Sequence, residues 1–346
     1  MAELLALFPR LDTHGGVQAS GRLVRAALVG RSIEADAGSR RAAVGAALRA
    51  PRADQVLVWH MGMLKLLPFL RLPRQTRVAL FLHGIEAWAA PGYLTRVLLR
   101  RVDLFLSNSE YTWRRFVARH PRYAAAPHRT VSLGLGVALD GPLPRPAGPP
   151  VALMLARLRR SEDYKGHREL IAAWPRVRRR MPTAELWIAG DGDLGPDLQR
   201  LVTENGLDDA VRFFGAVSEP EKERLLARSH CLALPSRAEG FGLVYVEAMR
   251  LGRPCLVSTL DAGREVVSPP EAGLAADPEQ PDALAEAVCR LLEPGPDWLA
   301  RSTAANARHA RGFTAQHFQD RLRAALGPLS EGRVSDDVWH RRRSAA

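Results

Sequence analysis

The chain has 346 residues, of which 47% are hydrophobic and 25% are charged, and its formal net charge is +12. This length suffices for two domains with separate cores, and the composition is that of a globular protein. Three cysteines without metal-ligand spacing argue against a zinc site or a disulfide scaffold and favour the reducing cytoplasm. The apolar patch at residues 4–8 is too short for a signal peptide or a transmembrane segment, so we expect neither.

The positive charge is concentrated in the first half of the chain. Residues 1–150 contain 21 Lys and Arg against 9 Asp and Glu, whereas the remaining residues contain 28 of each. Such an excess suits nucleic acid, an anionic membrane surface or simple solubility. No zinc-finger or RRM-like pattern accompanies it, so we expect no nucleic-acid partner. Apolar residues alternate with arginines at 66–77 and 93–101, which fits either a face resting on anionic lipid or ordinary surface helices.

The first half begins with a predicted strand, a glycine loop and a helix. Apolar residues predict strands at 4–8, 55–59, 78–82 and 104–106, and a helix at about 17–29. Gly15 and Gly16 lie between the first strand and that helix. This order places a helix N-terminus where an anion binds, although Gly-Gly turns are also common without any ligand.

A polar cluster follows the predicted strand at 78–82. His83 comes directly after it, with Glu86 and Trp88 close behind. Ligands bind beyond the carboxyl ends of parallel strands, so we interpret His83 as functional rather than structural. Residues 107–112 are explained sufficiently as the cap of a helix.

Residues 140–150 separate the two halves. They contain five prolines and two glycines, which exclude a helix or a central strand and indicate an interdomain linker. Strands alternate with helices on both sides, which predicts an α/β protein with two Rossmann-like domains. We therefore divide the chain at 1–140, 141–150, 151–312 and 313–346.

The second half repeats the alternation of strands and helices. Predicted strands lie at 151–156, 186–189, 211–214, 231–234 and 255–257, and predicted helices at 167–174, 219–228, 281–292 and, for the most part, 298–325. Arg157 follows the first of these strands and Lys165 precedes the next helix. Arginine can hold a phosphate bidentately and lysine acts as a point charge, so both are candidates for binding a phosphate.

The most informative stretch is 236–258, which is predicted to form a strand end, a loop, a helix, a turn and a strand. Gly240 and Gly242 lie where the loop meets the helix, where backbone without a Cβ can approach an anion closely. Glu239 and Glu247 flank this point, and carboxylates accept hydrogen bonds from hydroxyl-rich groups. An isolated Gly-x-Gly would more often be an ordinary turn.

Glu239 and Glu247, eight residues apart and framing Gly-Phe-Gly, resemble the E-x7-E signature of the retaining glycosyltransferases of family 4, also called group 1 glycosyl transferases. The resemblance covers nearly the whole chain and is strongest over 151–275. It implies the GT-B fold, with two parallel sheets facing a central cleft and a C-terminal helix at 313–326 that crosses back to the first domain. It further implies hexosyl transfer from a nucleotide-diphosphate donor with retention at the anomeric carbon.

The resemblance also implies roles for individual residues. The catalytic group would be His83, Arg157, Lys165 and Glu239. The donor would be bound by Gly15, Gly16, Gly190, Asp191, Val217, Gly240, Phe241, Gly242, Leu243 and Glu247. Glu86 and Trp88 would line the acceptor side.

Neither a metal nor a cofactor is expected. Arg157 and Lys165 supply fixed positive charge where a diphosphate departs, which is the usual task of a divalent ion. Asp191-x-Asp193 could be the metal motif of another glycosyltransferase fold, but its glycines fit a turn beneath the nucleotide.

The expected partners are a nucleotide sugar and a glycan or lipid-linked acceptor, with the basic first half on an anionic membrane surface. A cytoplasmic protein, peripheral on the inner face of the plasma membrane, fits this interpretation. Two alternatives stay open: a GT-B sugar epimerase or phosphorylase, and a non-catalytic protein that binds a nucleotide sugar or a membrane surface. The residues at 341–346 are interpreted as a mobile tail.

Overall fold

The computed structural model describes residues 3–12, 15–28, 30–35, 40–139 and 141–327. These residues form two six-stranded parallel sheets, one before and one after the segment 141–150. That segment contains neither helix nor strand. Asp140, at the start of the predicted linker, and the predicted tail at 341–346 lie outside the described residues.

The first sheet has the strand order β2-β1-β3-β4-β5-β6. Its strands are β1 (Leu4–Pro9), β2 (Arg31–Ala35), β3 (Gln55–Val58), β4 (Arg77–Leu82), β5 (Leu104–Ser107) and β6 (His128–Thr130), and its helices are α1 (Gly16–Ala27), α2 (Arg40–Arg49), α3 (Ile85–Trp88), α4 (Tyr93–Leu98) and α5 (Glu110–Arg119). The four predicted strands are confirmed. The sequence did not predict the two edge strands β2 and β6, because an edge strand needs no continuous apolar run.

The second sheet has the order β12-β11-β10-β7-β8-β9. Its strands are β7 (Val151–Leu155), β8 (Glu185–Ala189), β9 (Val211–Gly215), β10 (Cys231–Leu234), β11 (Cys255–Ser258) and β12 (Gly273–Ala276). Its helices are α6 (His167–Arg180), α7 (Gly195–Glu204), α8 (Glu219–Arg228), α9 (Leu243–Arg250), α10 (Gly263–Val267) and α11 (Pro281–Leu292), and α12 (Pro296–Gly312) and α13 (Ala315–Leu326) follow. The central strands β7, β10 and β11 are buried almost throughout, as expected where helices cover both faces of a parallel sheet.

Each sheet has a point at which the direction of winding reverses. In the first sheet it lies between β1 and β3, and in the second between β7 and β10. The connections after the two strands turn to opposite faces there, which opens a crevice beyond their carboxyl ends. The topology therefore places the candidate site at the loops that follow β7 and β10, opposite the loop that follows β1.

The predicted crossover is confirmed, because α13 packs on the first sheet. Gln55 donates to the carbonyl of Leu326, and Arg323 donates to the carbonyl of Ala27, both at 3.2 Å. Phe318 is fully buried, and its ring lies 6.3 Å from that of Trp59. The helical run expected at 298–325 is interrupted at residues 313 and 314, where the Thr314 side chain caps α13.

Replacing Phe318 with alanine should detach α13 from the first sheet. Loss of a fully buried aromatic ring typically lowers the free energy of unfolding by about 3–5 kcal/mol. Urea unfolding followed by fluorescence measures the change. Phe69→Ala, at a position that is 40% exposed, is the matched control, and equal midpoints for the two variants would contradict the role given to α13.

Candidate functional site

The loops that follow β7 and β10 meet at the switch point of the second sheet. Gly166 has φ +91° and lies against the carbonyl of Pro235, where a Cβ would collide. This approach brings Lys165 beside Glu239, and the Nζ atom donates to Oε2. The two side chains are only 14% and 16% exposed. Burial lowers the pKa of Lys165, but the Glu239 carboxylate and neighbouring groups outweigh it and raise the pKa, so the ammonium stays charged.

Arg157, the other predicted cation, is not part of this pair. Its side chain is 51% exposed, and its guanidinium lies 2.6 Å from the Glu162 carboxylate on the same loop. Of the two predicted cations, only Lys165 is therefore buried, and the Glu239 carboxylate compensates its charge.

The backbone enters α9 through a turn that requires glycine. Gly242 has φ +82°, and a Cβ there would collide with the ring of Tyr245. Tyr245 is fully buried, and its hydroxyl group donates to the carbonyl of Leu234 at 2.8 Å. The loop is thereby folded back on the end of β10. The Tyr245 N–H group donates to the carbonyl of Gly242 at 3.0 Å. The N–H groups that begin an α-helix otherwise lack an acceptor within it, so the start of α9 favours an anion.

Asp261, in the loop after β11, fixes the backbone of Glu239. One carboxylate oxygen accepts from the Glu239 N–H group and the other from the Gly263 N–H group, each at 3.0 Å. The Ala262 N–H group donates to the carbonyl of Glu239 at 3.1 Å. Burial raises the pKa of Asp261 to about 7, although the two N–H donors oppose this shift. The position of Glu239 thus depends on a residue that the sequence did not indicate.

Glu247 is paired with a lysine from α8. The Nζ atom of Lys222 lies 2.8 Å from the Glu247 carboxylate and 2.7 Å from that of Glu219. Burial raises the pKa of Glu247, while the ammonium of Lys222 opposes the change. Lys222 was not predicted, because a lysine near the start of an acidic helix is usually a solvated residue.

Gly190 and Asp191 lie at the carboxyl end of β8. Gly190 has φ +148°, and a Cβ there would collide with the carbonyl of Ala156 beside it. Asp191 accepts from the Gly192 N–H group at 2.8 Å, and Asp193 accepts from that of Arg160 at 3.0 Å. Both carboxylates of the Asp-x-Asp pattern are therefore engaged in loop structure.

The other predicted donor-binding residues of the second domain differ in exposure. Phe241 is only 3% exposed, and its ring lies 6.2 Å from that of Phe313, so it anchors the loop in the core. Val217 is half-buried in the loop between β9 and α8.

The glycine loop of the first domain faces the start of α9. A Cβ built on Gly16 would lie 3.5 Å from the side chain of Leu243. Gly15 precedes α1 with φ +152°. The structure therefore brings these two predicted glycines and Leu243 to opposite sides of one narrow gap.

His83 is held as a neutral imidazole at the end of β4. The residue is 8% exposed, and its Nε2 atom lies 2.6 Å from the carbonyl of Trp59. Burial and the neighbouring His60 lower the pKa of His83 to about 3. Because a carbonyl only accepts, Nε2 carries the proton and Nδ1 is left as an acceptor. An acceptor suits a sugar hydroxyl group better than a phosphate oxygen.

Glu86 and Trp88 make structural contacts near His83. The Glu86 carboxylate accepts from the N–H groups of His83 at 2.6 Å and Gly84 at 3.2 Å. Trp88 contacts Tyr111 edge-on, with ring centroids 5.7 Å apart. Glu86 thus stabilises the turn after β4, and Trp88 packs against α5.

The two domains touch at Gly240. A Cβ there would collide with the carbonyl of His83 and lie 2.8 Å from the Cα atom of Gly84. Only glycine at position 240 lets the loop of the second domain reach the turn of the first.

Residues 149–294 match the family model of the glycosyl transferases group 1. The chain is also 30% identical over 290 residues to a GDP-mannose-dependent alpha-(1-6)-phosphatidylinositol monomannoside mannosyltransferase of Mycobacterium tuberculosis, covering 77% of this chain and 72% of the relative. The chain belongs to the group 1 glycosyl transferases. A shorter match of 34% identity over 169 residues relates it to a glycogen synthase of the same organism, covering 49% of this chain and 40% of that one.

Solved structures agree with the fold of this glycosyltransferase. HepE from Anabaena, in complex with UDP-glucose, superposes with a TM-score of 0.76 at 18% identity and covers 93% of this chain and 99% of that one. The lipopolysaccharide outer core galactosyltransferase WaaB gives a TM-score of 0.70 at 16% identity, with the same coverage. The predicted GT-B fold is thereby confirmed.

Gly240→Ala should impair the glycosyltransferase without unfolding it. The added methyl group meets backbone atoms of the first domain, which cannot move aside as a side chain could. We expect turnover to fall at least about tenfold, while the melting temperature changes little because the two cores are intact. Gly92→Ala is the matched control, because Gly92 has φ −62° and a Cβ built there meets no atom within 4 Å. Equal activity of both variants would contradict the contact at Gly240.

Turnover should decline as the pH falls through about 7, because Asp261 then takes up a proton. Protonation converts one carboxylate oxygen into a donor, which leaves either the Glu239 or the Gly263 N–H group without its acceptor. A pH profile of kcat measures the effect. Asp261→Asn should lack this acid limb and have low activity throughout, since its amide group cannot accept both hydrogen bonds. An unchanged limb in that variant would assign the titration to another group.

Proposed function

We propose that this glycosyltransferase is a retaining hexosyltransferase of family 4 that uses a nucleotide-diphosphate donor. The observation that carries the proposal is the buried Lys165–Glu239 pair beside the start of α9, at the switch point of the second sheet. The names of two similar proteins add support, since one depends on GDP-mannose and the other was crystallised with UDP-glucose. In this assignment the second domain, 151–312, binds the donor, and the first, 1–140, provides the acceptor side.

The departing diphosphate is stabilised by Lys165 and by the N–H groups at Gly242 and Leu243. Negative charge develops on the leaving phosphate oxygen, and preorganised donors in a water-poor site stabilise such charge strongly. Without a donor, Glu239 neutralises Lys165. A bound phosphate replaces Glu239 as the partner of Lys165, which frees the carboxylate to accept from the hydroxyl groups of the sugar.

The remaining predicted residues serve recognition of the donor. Glu247, fixed by Lys222, accepts from the ribose hydroxyl groups. His83 presents Nδ1 as an acceptor to a sugar hydroxyl group. Arg157 adds exposed positive charge at the outer end of the diphosphate site.

Retention follows from attack on the same face from which the diphosphate leaves. The bond between the anomeric carbon and the phosphate oxygen breaks, and the acceptor oxygen bonds to that carbon on the same side. The acceptor proton passes to the phosphate oxygen, so the leaving group acts as its own base. Fixed positive groups stabilise the negative charge of the departing diphosphate, so the transfer proceeds without a divalent ion. Unchanged turnover in the presence of EDTA is the expected result.

The acceptor is a lipid-linked glycan presented at an anionic membrane surface. The 3₁₀ helix Met61–Phe69 packs against α4, which joins the two basic and apolar stretches of the sequence into one surface. This surface exposes the apolar residues Phe69, Tyr93, Leu94 and Val97 and the basic residues Arg71, Arg74, Arg77, Arg96, Arg100 and Arg101. No helix of the described residues is long and apolar enough to cross a bilayer, so we propose contact with the surface only.

Lys165→Ala and Glu239→Gln should each reduce transfer at least about 100-fold. The first removes the positive charge that stabilises the departing diphosphate, and the second removes the carboxylate charge that holds the sugar hydroxyl groups. The donor is first identified by thermal shift across nucleotide sugars, since a ligand of the native state raises Tm. Transfer of radiolabelled sugar to a lipid extract then gives the rate. Arg179→Ala, at an exposed position of the second domain, is the control. Near-normal turnover of either site variant would refute the assignment.

Charge reversal at Arg96, Arg100 and Arg101 should weaken binding to anionic vesicles by about 100-fold or more, at roughly 1 kcal/mol per basic residue. Cosedimentation with phosphatidylglycerol vesicles at low salt measures this. Reversal at Arg179, Arg224 and Arg290, which are exposed on the second domain, is the matched control. Equal loss in both triple variants would show attraction by net charge and contradict a defined surface.

A further inference from the structure

The start of α5 in the first domain holds the loop of the second domain that contains Gly240. The Ser109 hydroxyl group accepts from the Thr112 N–H group at 3.0 Å and donates to the carbonyl of Gly240 at 2.6 Å. The Thr112 hydroxyl group donates to the same carbonyl at 3.1 Å. Ser109 therefore caps its own helix and bonds to the opposite domain with one side chain.

A carboxylate from the second domain completes the start of the same helix. Glu265, on α10, accepts from the N–H groups of Glu110 and Tyr111, both at 2.8 Å. Its carboxylate also lies 3.3 Å from the guanidinium of Arg114. Such N–H groups lack partners within the helix and favour a negative charge. Glu265 therefore does what an acidic side chain in the first turn of a helix usually does, although it belongs to the other domain.

The Ser109 contact acts on the stretch of backbone that carries the Glu239 side chain. Asp261 holds the N–H group of Glu239 from within the second domain. Ser109 holds the carbonyl of the next residue, Gly240, from the first domain. The stretch 239–240 is thus held from both domains, and its attachment to the first domain exists only while the domains are together.

We propose that Ser109 and Glu265 are positioning residues, which couple closure of the two domains to the placement of Glu239. The proposal rests on the proposed function, in which Glu239 holds the donor sugar. When the domains separate, the carbonyl of Gly240 and the start of α5 exchange their partners for water, and the stretch 239–240 keeps only the restraints from its own domain. The sugar is therefore held in the reactive position only in the closed enzyme.

Kinetics separate this role from donor binding. Ser109→Ala and Glu265→Gln should each lower kcat about tenfold, the effect of losing one hydrogen bond or one charge-assisted contact in the reactive state. The Kd of the nucleoside diphosphate should change less than twofold, because Lys165, the start of α9 and Glu247, the charged and backbone groups proposed to bind it, lie in the second domain. Ser109→Thr retains the hydroxyl group and should restore most of kcat. Glu279→Gln, at an exposed position before α11, is the control for loss of a carboxylate.

Closure of the two domains can be followed directly by fluorescence resonance energy transfer between a dye on each domain. Cys231, Cys255 and Cys289 are buried, so maleimide dyes react with cysteines introduced at the exposed positions Arg52 and Glu286. With saturating nucleoside diphosphate, Glu265→Gln and Ser109→Ala should reduce the closed population of single molecules relative to the parent labelled enzyme. Should Ser109→Ala fail to fold, Glu265→Gln, whose side chain is 31% exposed, supplies the same measurements.

Unchanged kcat and unchanged closed population in both variants would overturn the proposal. A fall in kcat together with an equal fall in nucleotide affinity would also overturn it, because the residues would then support the donor site as a whole. The proposed function is tested separately by Glu239→Gln. An inactive Glu239→Gln variant combined with fully active Ser109 and Glu265 variants retains the donor site and rejects the coupling.

Discussion

The organisation of this glycosyltransferase depends on the buried ion pair of Lys165 and Glu239. Taking an ammonium and a carboxylate out of water costs several kcal/mol for each ion, and their attraction offsets that cost only if their geometry is fixed. The fold fixes it through the approach of Gly166 to Pro235 and through the hydrogen bonds of Asp261 to the Glu239 backbone. The pair is thus a preorganised site of opposite charges, in which, under the function we propose, an incoming phosphate takes the place of Glu239.

The loop that contains Glu239 is also the place where the two domains meet, so under the function we propose, binding of the donor is linked to the arrangement of the two domains. Gly240 touches the turn after β4, and α5 binds the carbonyl of Gly240. A site at the end of one sheet would by itself leave the reactive sugar open to water. Closing a second sheet over it excludes water and strengthens every electrostatic interaction within the gap.

The sequence indicated the charged residues of the candidate site, but it did not indicate the residues that fix their positions. Lys165, Glu239 and Glu247 lie close to the switch point, as the E-x7-E resemblance implied, but their placement requires Asp261, Lys222 and Ser109. These partners belong to ordinary sequence contexts: an acidic residue after a strand, a lysine in an acidic helix and a serine cap. The rule that ligands bind beyond the ends of parallel strands would have indicated Asp261, whereas no local signal distinguishes Lys222.

Local sequence by itself determined the alternation of strands and helices, the proline-rich connection at 141–150 and the glycine-framed loop before α9. Apolar runs, prolines and glycines restrict the backbone wherever they occur, so these features did not need the rest of the chain. Only the tertiary structure decided that Lys165 is buried while Arg157 is exposed, that His83 is a neutral acceptor, and that Glu265 caps a helix of the other domain. Whether a side chain is buried, and which group it pairs with, depends on residues that in some cases lie more than a hundred positions away in the sequence. Only folding brings those residues together.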